Sequence, residues 1–399
     1  MSAFVAVANA DWNQWRGPNR DGKIPNYSAP KRWPGQLARL WRVEVGEGHS
    51  SPLIVGDHVF IFTRQGNNEV ARCLRASSGR EVWTQRYPAP YEMDGAAQAH
   101  GKGPKSTPVY AEGRLYTFGI SGILSCFDAA TGKVIWRRTF ASDFQKTSPL
   151  YGAAMSPLVE NGLLIAHIGG HNQGALVAFD ARTGQPRWNW GGDGPAYASP
   201  VLATLSGTRQ IITQTQKHCI GVDFNTGKLL WRIPFTTPYD QNIVTPVVTG
   251  DTIIFGGTQQ PTFACQVRKN GAAWSVQKLW QSRDVTMYMS SPILSGNRLY
   301  GMSERRSGQM FCMDVTTGKT LWVSEGRFGE HAAVLEGGSA LFALNTDADL
   351  VVFGKNGNAL APLAKYRVAE SATWASPSIS NNRLYIKDFN TLSVWALPQ

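Results

Sequence analysis

The chain has 399 residues, with 39 Lys and Arg against 28 Asp and Glu and a formal net charge of +11 at neutral pH. Only 17% of residues are charged, and 41 Gly and 22 Pro punctuate the sequence, which excludes a coiled coil or long-helix protein and suits many short strands and turns. No apolar run reaches the ~18 residues a membrane-crossing helix needs, so the chain reads as not membrane-spanning.

The first segment, residues 1–10, ends Ala3-Phe-Val-Ala-Val-Ala-Asn-Ala10 before a polar start. An apolar stretch closing on Ala-x-Ala reads as the remnant of a secretory signal whose basic start is missing, which implies an exported, periplasmic protein. Residues 11–36 form a lead-in segment, opening Asp11-Trp-Asn-Gln-Trp-Arg-Gly-Pro-Asn-Arg-Asp-Gly22. Residues 37–45 then read as a strand, with Trp41 in the register of later tryptophans.

From residue 51 onward one phrase recurs, a Ser or Thr followed by Pro and an apolar stretch. It stands at Ser51-Pro52, Thr107-Pro108, Ser156-Pro157, Ser199-Pro200, Thr245-Pro246, Ser291-Pro292 and Ser376-Pro377, with Ala332-Ala333 as a degenerate copy. Pro is acceptable there because it opens the strand and does not interrupt its ladder. A second phrase, Asp-x-x-Thr-Gly-x-x-x-Trp, occurs at Asp128–Trp136, Asp180–Trp188, Asp223–Trp231 and Asp314–Trp322, and Ser77–Trp83 is a variant. Gly supplies the positive φ of a tight turn, and Asp or Thr bonds the turn backbone. Units five and seven depart together, with Asn270-Gly271 and Asn356-Gly357 turns followed nine residues later by Trp280 and Tyr366.

Strand repeats spaced 41 to 56 residues apart predict propeller blades. The fold class is therefore all-β, an eight-bladed β-propeller of four-stranded antiparallel blades. The last unit stops after its third strand at Leu392–Leu397. The strand at 37–45 is expected to complete that blade and close the ring, which removes the exposed edges of an open array. Residues 37–399 are one domain, and the tryptophans are expected to fill the seams between blades.

With these phrases in hand, the chain resembles the pyrroloquinoline-quinone-like (PQQ-like) β-propeller repeat family from Leu37 to Gln399, and its lead-in looks like that of exported bacterial members. That family contains quinoprotein dehydrogenases as well as members that bind no quinone, such as the propeller lipoprotein of outer-membrane-protein assembly. The resemblance thus implies either a binding scaffold without cofactor or an alcohol- or sugar-oxidising dehydrogenase using PQQ with calcium. The vicinal cysteine pair that caps the quinone in many such dehydrogenases is absent here, and no carboxylate cluster stands out near the axis.

Two long connections, Tyr87–Ser106 and Thr139–Met155, should share one rim, and long loops on a rigid scaffold are where function concentrates. Residues just before each inner strand should ring the axis: His49, Lys105, Tyr197, Asn242, Tyr288, Glu330, His331 and Trp374. From the first long loop Tyr91, Glu92, Asp94 and His100 join them as candidates. The alternative is an ordinary water-filled funnel mouth. No catalytic or metal-binding residue is assigned.

The remaining motifs are weak. Cys73, Cys126, Cys265 and Cys312 share one repeat position that wants a small buried residue, and Cys219 lies on the same face, so all five read as structural thiols. Asp347-Ala-Asp349 lacks the Gly and Glu of a calcium loop. His167 and His171 fall on a strand and its hairpin, one packing and one facing solvent. Basic residues are scattered and not interleaved with aromatics, which argues against nucleic acid. The sequence therefore predicts a monomeric, exported, non-enzymatic scaffold that binds a protein, glycan or envelope component through its rim and axial funnel.

Overall fold

The computed structural model describes residues 11–355 and 358–398; the signal-like residues 1–10 and the Asn356-Gly357 turn lie outside them. Among the described residues the strands form eight four-stranded antiparallel sheets. Blades I to VII span 53–88, 109–138, 158–190, 201–234, 247–282, 293–323 and 332–367. Blade VIII takes its three inner strands from 378–396 and its outer strand from Arg39–Glu44, which pairs antiparallel with Thr391–Ala396. The two ends of the chain therefore close the ring as the repeat count requires.

Strand position determines composition. The second and third strands of each blade are covered on both faces by neighbouring blades, so His58–Gln65 and Asn68–Arg75 are buried along nearly their whole length. Outer strands such as Val134–Arg138 face solvent and carry polar residues at intervals.

The recurring tryptophans join consecutive blades. Trp83 of blade I donates its indole N–H to the carbonyl of Ala129 in blade II at 2.9 Å. Trp136, Trp188 and Trp280 repeat the bond to Ala181, Phe224 and Val315, and Trp41 closes the series with Ala76. Each ring also lies on the Gly of the next blade's turn: a Cβ on Gly132 would sit 2.6 Å from the Trp83 ring. The turn Gly thus meets two demands, a positive φ and room for an aromatic ring. Blade V replaces the Thr-Gly turn with a long hairpin, Gln260–Asn270 and Ala273–Ser282. Trp231, facing it, turns its N–H to Gln210 of its own blade at 2.8 Å.

The Ser/Thr-Pro phrase has a second purpose beyond opening strands. The Thr107 hydroxyl accepts the Ser51 N–H, the Ser156 hydroxyl that of Thr107, and the Ser199 hydroxyl that of Ser156, at 3.1, 3.0 and 2.9 Å. Ser291 does the same for Thr245. At the degenerate unit the adjacent Ser290 takes over, accepting the Ala332 N–H at 3.0 Å. These bonds run around the axis and satisfy buried amides that no strand partner reaches.

The lead-in segment threads the axis. Trp12 pairs with Ile54 of blade I, Asn13 with Tyr110 of blade II and Ile24 with Glu336 of blade VII. Arg20 is buried and donates to the carbonyls of Ser156, Pro157 and Pro200, while Arg16 donates to that of Pro292. Tyr27 reaches the carbonyl of Pro398 in blade VIII. One segment therefore contacts inner strands all around the ring.

The seam geometry makes a matched pair of substitutions informative. Gly113 and Gly132 share φ +74, but a Cβ on Gly113 meets open space. Gly113→Ala carries only the left-handed backbone cost, about 1–2 kcal/mol, whereas Gly132→Ala adds displacement of Trp83, about 1–3 kcal/mol more. Urea denaturation of the two variants measures the difference.

Candidate functional site

The rim that carries the long loops opens into an axial cavity of about 500 Å³. Two buried polar anchors hold the loops in place. The Glu69 carboxylate accepts the Tyr87 hydroxyl at 2.8 Å and the Ile120 N–H at 2.7 Å, and the Arg137 guanidinium lies 3.7 Å from the centre of the Tyr87 ring. These contacts fix the start of the 87–106 loop and a turn of blade II that the 139–155 loop crosses, since Ala153 donates to the Ile120 carbonyl. Burial raises the Glu69 pKa, and the two hydrogen bonds partly offset that rise. Arg64, also buried, donates to the carbonyls of Gly66 and Ala89.

Seven of the candidate residues line the cavity: His49, His100, Lys105, Tyr197, Tyr288, His331 and Trp374. His100 packs edge-on against Trp374 at 4.7 Å, and His331 stacks on the same ring at 6.1 Å and 13°. His49 bonds through Nε2 to the His100 carbonyl at 2.9 Å, so Nε2 carries the proton and Nδ1 is left as an acceptor. The Lys105 ammonium donates to the Tyr151 carbonyl at 2.8 Å, leaving two further N–H donors. The floor consists of Trp15, which donates to the Thr245 hydroxyl at 3.2 Å, and of hydroxyls of the axial ring, including Ser156, Ser199 and Ser291.

Five candidates stand outside the lining. Asn242 sits before an inner strand as expected, but its amide N–H groups go to the carbonyls of Thr215, Gln216 and Phe235. Glu330 is exposed, and its backbone N–H bonds Thr346. Asp94 caps the short helix Gly95–His100 through the Ala96 N–H, and Glu92 faces solvent. Tyr91 lies behind the wall against Gly152.

Sequence reasoning overlooked Tyr239 and Gln241, on the connection from blade IV to blade V, and the role of Trp15 as floor. Tyr239 and Asp240 both adopt positive φ, 57° and 55°, a strained arrangement for consecutive non-glycine residues. Gln216 holds it, bonding the Asp240 carboxylate at 2.9 Å and the Asn172 N–H at 2.8 Å. Tyr239 is thereby presented at the cavity mouth, 74% exposed. Its only sequence signal is the length of that connection.

Electrostatically the cavity is one-sided. Burial holds His49 down to about 3, with Lys105 and Lys387 adding to the effect, and holds His331 down to about 4. Both imidazoles are neutral at pH 7. Burial also lowers Lys105 to about 8 and Lys387, whose ammonium bonds the carbonyls of Gly48, Asp388 and Phe389, to about 7. Among the described residues no Asp or Glu lines the cavity. Calcium requires six to eight oxygen ligands, carboxylates among them, and among the described residues no group of three or more His, Cys, Asp or Glu could hold a metal ion. The cavity donors therefore do not fit PQQ bound with calcium.

The weaker motifs resolve simply. His167 is buried against the Asp193 carbonyl, and His171 is exposed beside Asp240. Lys365 pairs with Asp349 at 2.9 Å. All five cysteines are free and buried.

The family model described as outer membrane protein assembly factor BamB matches residues 67–324. The chain belongs to that family. The BamB of Shewanella oneidensis is 24% identical over 299 residues, covering 71% of each chain. The quinohemoprotein alcohol dehydrogenase ADH-IIG of Pseudomonas putida is 26% identical over 197 residues, covering 47% of this chain and 26% of its own. The solved quinohemoprotein alcohol dehydrogenase of Comamonas testosteroni superposes with a TM-score of 0.69 at 14% identity, over 98% of this chain and 82% of that one. At that identity the likeness concerns the fold alone.

The neutral imidazoles lead to a pH prediction. Unfolded, a histidine takes up a proton near 6.5, whereas folded His331 and His49 resist protonation down to about 4 and 3. The unfolded state therefore binds more protons below pH 6.5, and stability falls on acidification from about 6.5 to about 4. Urea midpoints across that window check this, and His331→Phe, which keeps a ring against Trp374, should flatten the profile.

Proposed function

We propose that this chain is an exported, non-enzymatic propeller that binds another envelope protein through its loop-bearing rim, in an outer-membrane-protein assembly role like that named for its relatives. The observation that carries this reading is that the axial cavity, among the described residues, is lined by no carboxylate. A quinoprotein oxidation needs a metal site and a general base on the axis, and this cavity supplies neutral imidazoles, hydroxyls and one ammonium. The extent of similarity favours the same reading, because the BamB relative is matched over 71% of its length and the dehydrogenase over 26%.

The rim suits a partner. The loops 87–106 and 139–155 project from a ring closed by the pairing of Arg39–Glu44 with Thr391–Ala396, and loops on such a rigid scaffold are where binding residues concentrate. Exposed Tyr239 adds an aromatic anchor of the type enriched at interfaces.

Calorimetric titration of the chain from Asp11 onward with PQQ and calcium should give no saturable heat, while micromolar one-to-one binding would restore the dehydrogenase reading. In the source bacterium, deletion of the gene should lower outer-membrane protein levels. Wild type should restore them and a variant with the 139–155 loop shortened should not. Full restoration by that variant would remove the rim from the account.

A further inference from the structure

Protein docking at the rim leaves the interior of the cavity unexplained. A plain funnel mouth would be lined by short polar residues in contact with water. This one stacks Trp374 on His331 with His100 edge-on to it, floors itself with Trp15 and carries Tyr239 at its mouth on a strained turn. Its volume of about 500 Å³ falls within the roughly 300–1,000 Å³ of small-molecule sites.

The polar groups narrow the ligand. Axial hydroxyls such as Ser156, Ser199 and Ser291 accept bonds from neighbouring amides, and their own protons remain to be donated. Gln241 lines the cavity together with Tyr151 and Tyr288, so an amide and two phenols face the same space. A flat hydrocarbon acid filling this space would strip water from these groups and return no hydrogen bonds, which is costly. A polyhydroxylated ring returns them, and its C–H faces lie well against Trp and Tyr rings. The charge adds a further requirement: Lys105 is the one cation of the lining, two of its N–H donors are unspent, and no carboxylate faces it there.

We propose that the axial cavity binds an acidic sugar, a mono- or disaccharide bearing a carboxylate, with Lys105 meeting the carboxylate and the Trp374 and Tyr239 rings packing on the sugar faces. This site opens on the rim proposed for protein docking and shares Tyr239 and parts of both long loops with it, but sugar binding and outer-membrane protein levels are separate readouts, so either proposal can fail without the other.

Trp15 and Trp374 line the cavity, so intrinsic fluorescence reports its occupancy. Digalacturonate should change the signal saturably, and its neutral methyl ester should bind about tenfold more weakly or worse, as loss of a charge-assisted hydrogen bond requires. Naphthoate should bind more weakly than the sugar acid. Lys105→Met should abolish the preference for acid over ester while leaving the melting temperature close to wild type. Should that variant fail to fold, the wild type gives the same information. Lys105 loses its proton near pH 8, so the preference for acid should decay as pH rises through 8 to 9.5, with ester binding unchanged. Absence of saturable binding by digalacturonate, equal affinity for acid and ester, or tighter binding of naphthoate would each overturn the proposal.

Discussion

Everything in this molecule depends on one constraint: eight sheets must be held in a ring whose centre is too wide for their own side chains to fill. Neighbouring blades meet through aromatic rings at the outer part of the seams, tryptophans in most blades and Tyr366 in blade VII, and the ring closes because Arg39–Glu44 pairs with Thr391–Ala396. Those devices leave the axis open. The lead-in fills it with a peptide that pairs to inner strands and spends two buried guanidinium groups on backbone carbonyls. Burying two arginines whose hydrogen bonds go to neutral oxygens costs several kcal/mol in desolvation, which lowers Arg20 to about 9 and Arg16, despite nearby Asp21, to about 10. The multiple carbonyl bonds offset that cost and make the segment dependent on the ring around it.

The same constraint shapes the site. Because Trp15 lines the cavity and donates to the Thr245 hydroxyl, the lead-in gives the axial cavity a floor beneath the rim of the long loops. Its walls inherit the residues that precede each inner strand, and its floor inherits the hydroxyls that bridge blades. Burial then acts on the titratable groups, keeping histidines neutral and weakening the hold of lysines on their protons. A cavity with an ammonium and no carboxylate attracts anions and has no means of holding a calcium ion. The protein's overall positive charge, +11, works in the same direction at longer range.

Much of the fold could be read from the chain because every blade solves the same packing problem with the same residues. The Thr-Gly turn and its tryptophan recur since each ring needs a Cβ-free surface on the next blade. Even the departures were visible, although the reorientation of Trp231 toward Gln210 follows only once the long hairpin of blade V is seen beside it. The site was readable where it rests on the repeat: His49, Lys105, Tyr197, Tyr288 and His331 stand just ahead of an inner strand. It was unreadable where a loop chooses its own path. Asn242 holds a comparable place but turns its amide to three carbonyls, while Tyr239 and Gln241, a few residues earlier, take the cavity instead. No periodicity reports that choice, because it is decided by the contact between Gln216 and Asp240.

The central claim is that lead-in and ring form one cooperative unit, so that the cavity floor is permanent. Native-state hydrogen exchange tests it most directly. The amides of Trp12, Gly22 and Ile24, bonded to Ile54, Arg16 and Glu336, should exchange only with global unfolding, at the same rate as those of the Arg39–Glu44 strand. Exchange of the lead-in amides orders of magnitude faster than the blades would mean that the segment leaves the axis on its own. The cavity would then be an open channel, contradicting the account.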